Sequence, residues 1–157
     1  MELTSPAFAD GGMIPAKYTC DGDRLLSPPL AVSGVPEGTK SLALVMDDPD
    51  IPQEVKDARG IDVFDHWTLY GIPADTTEIP EGASIGSAGL NGAGNAAYTG
   101  PCPPPEYEPK VHRYIFKLYA LSIAPTFDAP PTKAELEAAM EGATLARAEL
   151  VGKYSRA

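Results

Sequence analysis

Prolines cut this chain into short lengths, and no other feature limits its fold as much. It carries 17 prolines and 15 glycines in 157 residues, against an average proline usage of about 5%. They lie between apolar runs rather than in one tail. A proline inside a helix removes a hydrogen bond and clashes with the preceding turn. Helices of ordinary length therefore have little room, whereas strands separated by turns have plenty.

Three apolar runs carry the strand signal. Ser41 to Asp48 (SLALVMDD) is apolar on both parities, as expected of a strand covered on both faces. His66 to Ile72 (HWTLYGI) is stopped by Pro73, and His112 to Leu121 (HRYIFKLYAL) is rich in aromatic and β-branched residues. Shorter strands are expected at Leu3 to Phe8 and Leu30 to Val32. One helix is well marked in PPTKAELEAAMEG. Thr132 is its N-cap, Glu135 completes a capping box, Leu136, Ala139 and Met140 form its apolar stripe, and Gly142 is its stop. The following ATLARAELVGKY alternates weakly and reads as a strand. Gln53 to Asp65 reads as a long loop with one helical turn. The glycine-rich PEGASIGSAGLNGAGNAAYTG reads as a second long loop, of the kind that often carries function. With no internal repeat and no linker, residues 1–157 are expected to form a single domain. It should be mostly β, an antiparallel β-sandwich with one or two short peripheral helices.

The net charge of −10 argues against binding to nucleic acid or to an anionic membrane surface, since both require basic surface. No run approaches the ~18 apolar residues of a membrane span. The stretch MELTSPAFADGG has neither a basic start nor an apolar centre, so a cytosolic protein is expected. Cys20 and Cys102 are too few for a disulfide scaffold. With only His66 and His112 beside them, and no C-x-x-C or H-x-x-x-H spacing, no metal and no cofactor is expected.

Polar residues gather at the ends of the apolar runs. Asp47, Asp48 and Asp50 surround Pro49, His66 opens the second run, and His112-Arg113-Tyr114 follows the stiff GPCPPPEYEPK segment. Singly, each is ordinary turn chemistry. Jointly they say more, because antiparallel neighbours bring the start of one strand beside the end of the next. Asp48, His66 and His112 can thus share one end of a sheet. Imidazoles, a tyrosine hydroxyl and backbone N–H groups of a Gly-Pro loop suit a small anion. The competing enzymatic reading is a small hydrolase in which Cys102 forms a nucleophilic dyad with His66 or His112. No third residue supports it, there is no G-x-S-x-G elbow, and a buried, inert Cys102 thiol is the preferred reading.

The set DDPDIP, HWTLYGIP, NGAGNAAYTGPCPPP and VHRYIFKLYAL, in this order, resembles the phosphatidylethanolamine-binding protein family, and within it the bacterial and archaeal Raf-kinase-inhibitor-like branch. The likeness runs from about Tyr18 to about Tyr154. It implies an antiparallel β-sandwich with a small pocket for phosphate, phosphorylethanolamine-like or carboxylate groups. By the same resemblance Asp48, His66, Gly100, Pro101, His112 and Tyr114 bind the ligand, while Asp50 and Arg113 brace the loops behind them. It further implies a regulatory or inhibitory role without catalysis, a protein kinase or protease as partner, and a homodimer. Two positions depart from the family pattern. The stretch between Pro101 and His112 is longer and more acidic, and Ala31 stands where the family often has tryptophan.

Overall fold

Strands follow the apolar runs closely. In the computed structural model, which describes residues 1–156, they are β1 (Glu2–Thr4), β2 (Leu30–Ser33), β3 (Ser41–Asp48), β4 (Phe64–Pro73), β5 (Glu78–Ile79), β6 (Ser87–Ala88), β7 (His112–Leu121) and β8 (Thr144–Tyr154). The helices are α1 (Gln53–Arg59) and α2 (Lys133–Met140), with a 3-10 turn at Ala16–Tyr18. One sheet has the order β6-β4-β3-β7-β8 and the other β1-β2-β5, and neighbouring strands in both are antiparallel. This is the expected sandwich.

β3 occupies the centre of the larger sheet and is buried along its whole length. Its side chains alternate between faces. Leu42, Leu44 and Met46 join Phe116 and Leu118 of β7 in the main core, with Leu3, Leu30, Val32 and Ile79 from the small sheet. Ala43 and Val45 point the other way and pack under α2 against Leu136 and Met140. The α2 capping box is present: Thr132 Oγ1 accepts from Glu135 N–H at 3.1 Å, and the Glu135 carboxylate accepts from Thr132 N–H. β8, the weakly alternating segment, pairs with β7 along its length.

Three local expectations are corrected. β1 ends at Thr4 rather than near Phe8, because Pro6 has no N–H for a ladder and Ser5 Oγ turns to the Pro29 carbonyl at 2.6 Å. The loop after Asp50 holds a full short helix, α1, which starts after Pro52 and stops at Gly60 with φ 64°. The third correction is chemical. Cys20 and Cys102, 82 residues apart, form a disulfide, so the expected inert thiol is not there. In this bridged form Cys102 cannot serve as a nucleophile, since a bridged sulfur is no thiolate. Two cysteines this far apart carry no local pattern that would announce a bridge.

The bridge closes a long loop, so its loss should cost stability. Replacing both cysteines by serine should lower the unfolding free energy by up to about 4 kcal/mol on loop-entropy grounds. Urea denaturation of the two proteins checks this, and equal midpoints with equal slopes would contradict it.

Candidate functional site

The site forms where β3 stops. Asp48 lies opposite Phe64 on β4, and Asp47 opposite Ile115 on β7. Against β4 the register slips between Met46, which faces Trp67, and Asp47, which faces Asp65. His66 is the residue left over, held in a bulge that re-aims its side chain. Period-two alternation carries Asp48 onto the same face as Leu42, Leu44 and Met46. It carries His112 and Tyr114 onto the face of Phe116. Asp47 is sent to the opposite face, where Lys117 and Lys133 lie 3.2 and 3.4 Å from its carboxylate.

Asp48 and His112 form a buried pair. His112 Nδ1 and Asp48 Oδ2 are 2.7 Å apart, with side-chain exposures of 1% and 3%. The other Asp48 oxygen accepts the Asp50 N–H at 2.7 Å. The carboxylate orients the imidazole with Nδ1–H toward it. His112 Nε2 is buried and has no hydrogen-bond partner among the described residues. His66 Nδ1 donates to the Thr99 carbonyl at 2.7 Å, and Thr99 N–H returns a bond to the His66 carbonyl at 3.0 Å. Burial depresses the His66 pKa below the ordinary histidine value, although the Thr99 carbonyl and Asp48 pull it upward. His66 is thus neutral near pH 7 and turns a lone pair on Nε2 away from Thr99. Tyr114 sits between the two, its ring edge-on to His66 at 5.2 Å and stacked on His112 at 6.3 Å. Burial, then the Asp48 charge, raises its pKa, so the phenol remains a donor.

These residues line a cavity of about 320 Å³. Asp48, His66, His112, Tyr114 and Gly100 line it together. An apolar wall comes from Ile51, Pro52 and Val55 at α1, from Phe64, and from Pro103 and Pro104. Asp50 and Arg113 brace the rim, since the Arg113 guanidinium grips Asp50 at 2.8 and 2.9 Å while its N–H reaches Oδ2 at 2.9 Å. This grip holds the Asp50 carboxyl pKa below its usual value.

The Gly-Pro loop departs from expectation. Gly100 N–H is spent on the Arg24 carbonyl at 2.7 Å, and the Pro101 carbonyl accepts from Cys20 N–H at 3.1 Å. Pro101 is buried behind the cavity and does not line it. The loop is a wall rather than a donor. Its tight seat explains the glycine, because a Cβ on Gly100 would lie 2.4 Å from the Tyr18 carbonyl oxygen.

Sequence reasoning missed Arg24, Thr99 and the apolar wall. Ile51 and Val55, four residues apart at a proline-started helix, were the available signal for that wall. Arg24 and Thr99 reach the cavity through loop docking, which leaves no pattern.

Two outcomes follow. A histidine with a depressed folded-state pKa binds its proton more weakly than the unfolded chain does. Its contribution to stability is intact above the ordinary ~6.5 and is lost as pH falls from there toward its lower folded value. Urea midpoints should fall between about pH 7 and 5, and His66→Gln should flatten that fall. An equally steep slope in the variant would contradict the assignment. Gly100→Ala should destabilise the chain and disturb the pocket wall, read as a lower thermal midpoint with shifted Tyr18 and Thr99 amide resonances.

Comparison with known proteins places this geometry in context. The family model described as "Phosphatidylethanolamine-binding protein" matches residues 4–155. A UPF0098 protein from Methanothermobacter thermautotrophicus is 42% identical over 163 residues that span 99% of each chain. Among solved structures, a Chlamydia trachomatis phosphatidylethanolamine-binding protein homologue superposes with a TM-score of 0.90 at 41% identity, covering 99% of this chain and 97% of the other. The Escherichia coli protein YbcL does so with 0.84 at 29% identity, covering 99% and 98%.

Proposed function

The chain belongs to the phosphatidylethanolamine-binding protein family, and from that premise we propose that its pocket receives a small anion, a phosphoryl or carboxylate group, between His66, His112 and Tyr114. The observation that carries this reading is the unpartnered Nε2 of His112. Buried polar atoms are nearly always hydrogen-bonded, and one left open in a cavity calls for a partner there, which an anion's oxygen can be. Asp48 does not defeat the site. Its oxygens already accept from His112 and from the Asp50 backbone. A proton taken up by His112 as the anion enters offsets the remaining charge. Tyr114 donates from the side, and the proline-stiffened loop holds the wall in place beforehand, which limits the entropy lost on binding.

On this reading the protein works as a regulatory or inhibitory binding module without a catalytic step. A kinase, a protease or a second copy of the chain is the partner that an occupied pocket would control. Family resemblance supports that partner class, and light scattering at micromolar concentration tests the homodimer. No helix among the described residues is long and apolar enough to cross a membrane. A cytosolic setting and the Cys20–Cys102 bridge pull in opposite directions, because cytosolic thiols are kept reduced. Intact mass after alkylation of freshly lysed cells decides which of the two holds.

Binding should couple to proton uptake. Sulfate serves as probe because its own charge is constant through this range. Its affinity should rise as pH falls from about 8 to 6, because a proton is taken up with the anion. His112→Ala should weaken it roughly tenfold to a hundredfold, the cost of one charge-assisted hydrogen bond. Lys110→Ala, a change at an exposed residue outside the cavity lining, should have little effect. Calorimetry that gives a flat pH profile and wild-type affinity in His112→Ala would overturn the proposal.

A further inference from the structure

One cation at the cavity is left unexplained by the anion site as described. Of the five arginines, Arg113, Arg147 and Arg156 pair with carboxylates, and Arg59 donates to the Gly92 carbonyl at 3.0 Å. Arg24 does neither among the described residues, in a chain where 22 acidic residues face 12 basic ones. A solvated arginine is ordinary on a surface. This one lines the same cavity as His66, His112 and Tyr114.

Its backbone is also firmly held. The Arg24 carbonyl accepts the Gly100 N–H at 2.7 Å, and the turn around it is closed by Leu26 N–H to the Asp23 carbonyl at 3.1 Å. The Asp23 carboxylate accepts Leu25 N–H at 3.0 Å. The same loop is tied down by the Cys20–Cys102 bridge and by the Tyr154 hydroxyl, which donates to Asp21 at 2.6 Å. With the root fixed, only the Arg24 side-chain rotamers remain to be ordered when a ligand arrives.

The charge balance of the lining residues gives it a task. On the anion-site reading the proton taken up at His112 offsets Asp48, and Arg113 offsets Asp50 at the rim. His66 is neutral and Tyr114 uncharged. Arg24 is the remaining charge on the cavity lining, and it is positive. An anion with one charge can be satisfied by His112, once it carries a proton on Nε2, and by the phenol. A second charge needs a further cation, and arginine's planar fork suits phosphate and carboxylate oxygens.

Building on the anion-site reading above, we propose that Arg24 determines the specificity of the pocket, selecting ligands with two negative charges and a small apolar body over singly charged ones. Phosphate monoesters and dicarboxylates have this chemistry, and the body lies along Ile51, Val55 and Phe64.

Calorimetry at pH 7 tests it with four probes: phenyl phosphate, its singly charged methyl ester, succinate and propionate. A phosphomonoester's second ionisation, near ~6, is largely complete at that pH. Wild type should prefer phenyl phosphate to its methyl ester, or succinate to propionate, by roughly tenfold or more. The pair that shows the preference identifies the source of the second charge. Arg24→Gln should abolish that preference, and Arg24→Lys should restore part of it. Neither variant touches the Arg24–Gly100 backbone bond, so thermal midpoints should match wild type. Arg24→Gln that keeps the full preference, while His112→Ala loses binding, would overturn this inference alone. A wild type that binds all four but prefers neither doubly charged probe would do the same. No binding of any probe by wild type would overturn the anion site and this inference together.

Discussion

β3 has a hydrogen-bonded neighbour on each edge, both antiparallel, and packed side chains on each face. Where it ends, β4 and β7 begin, so three strand termini meet at one place. Period-two alternation then decides which carboxylate joins them. Asp48 follows Met46 into the layer between the sheets, and Asp47, one residue away, is turned to the lysines under α2. A register slip of one residue would exchange the two. Covering both faces of β3 with apolar side chains makes such a slip costly, and so fixes which carboxylate enters the pocket.

The polar contacts within the pocket are arranged so that each buried charge has a use. Asp48 orients His112 and caps the turn at Asp50, while the Asp50–Arg113 pair closes the rim. Thr99 performs for His66 the orienting role that Asp48 performs for His112, with a neutral carbonyl in place of a carboxylate. The two histidines therefore differ: one is backed by a charge and the other is not. Docking the loop from Tyr98 to Cys102 onto the loop from Tyr18 to Arg24 adds the outer wall. It uses two backbone bonds, a disulfide and the Tyr98 hydroxyl on the Tyr18 carbonyl.

The sequence made the sandwich legible because its signals are local. Proline spacing, alternation in SLALVMDD and HRYIFKLYAL, and the capping box at Thr132 each act within a few residues. The cluster of Asp48, His66, His112 and Tyr114 was readable for a related reason, since strand ends in an antiparallel sheet follow from strand order. What stayed hidden depends on contacts between distant loops. The Cys20–Cys102 bridge spans 82 residues, Arg24 reaches the cavity through Gly100, and the Pro101 carbonyl is taken by Cys20 rather than by a ligand. The bulge that frees His66 was also invisible, because a one-residue register slip leaves the hydrophobic pattern of HWTLYGI unchanged.

The proposed anion site rests on the open Nε2 of His112. A crystal of the protein soaked in phosphate near pH 6 tests it most directly. An anion site at His112 requires tetrahedral density in the cavity with an oxygen within about 3 Å of His112 Nε2, and with the Asp48–His112 bond intact. Phosphate bound only at other surfaces, with the cavity holding nothing but water, would contradict it.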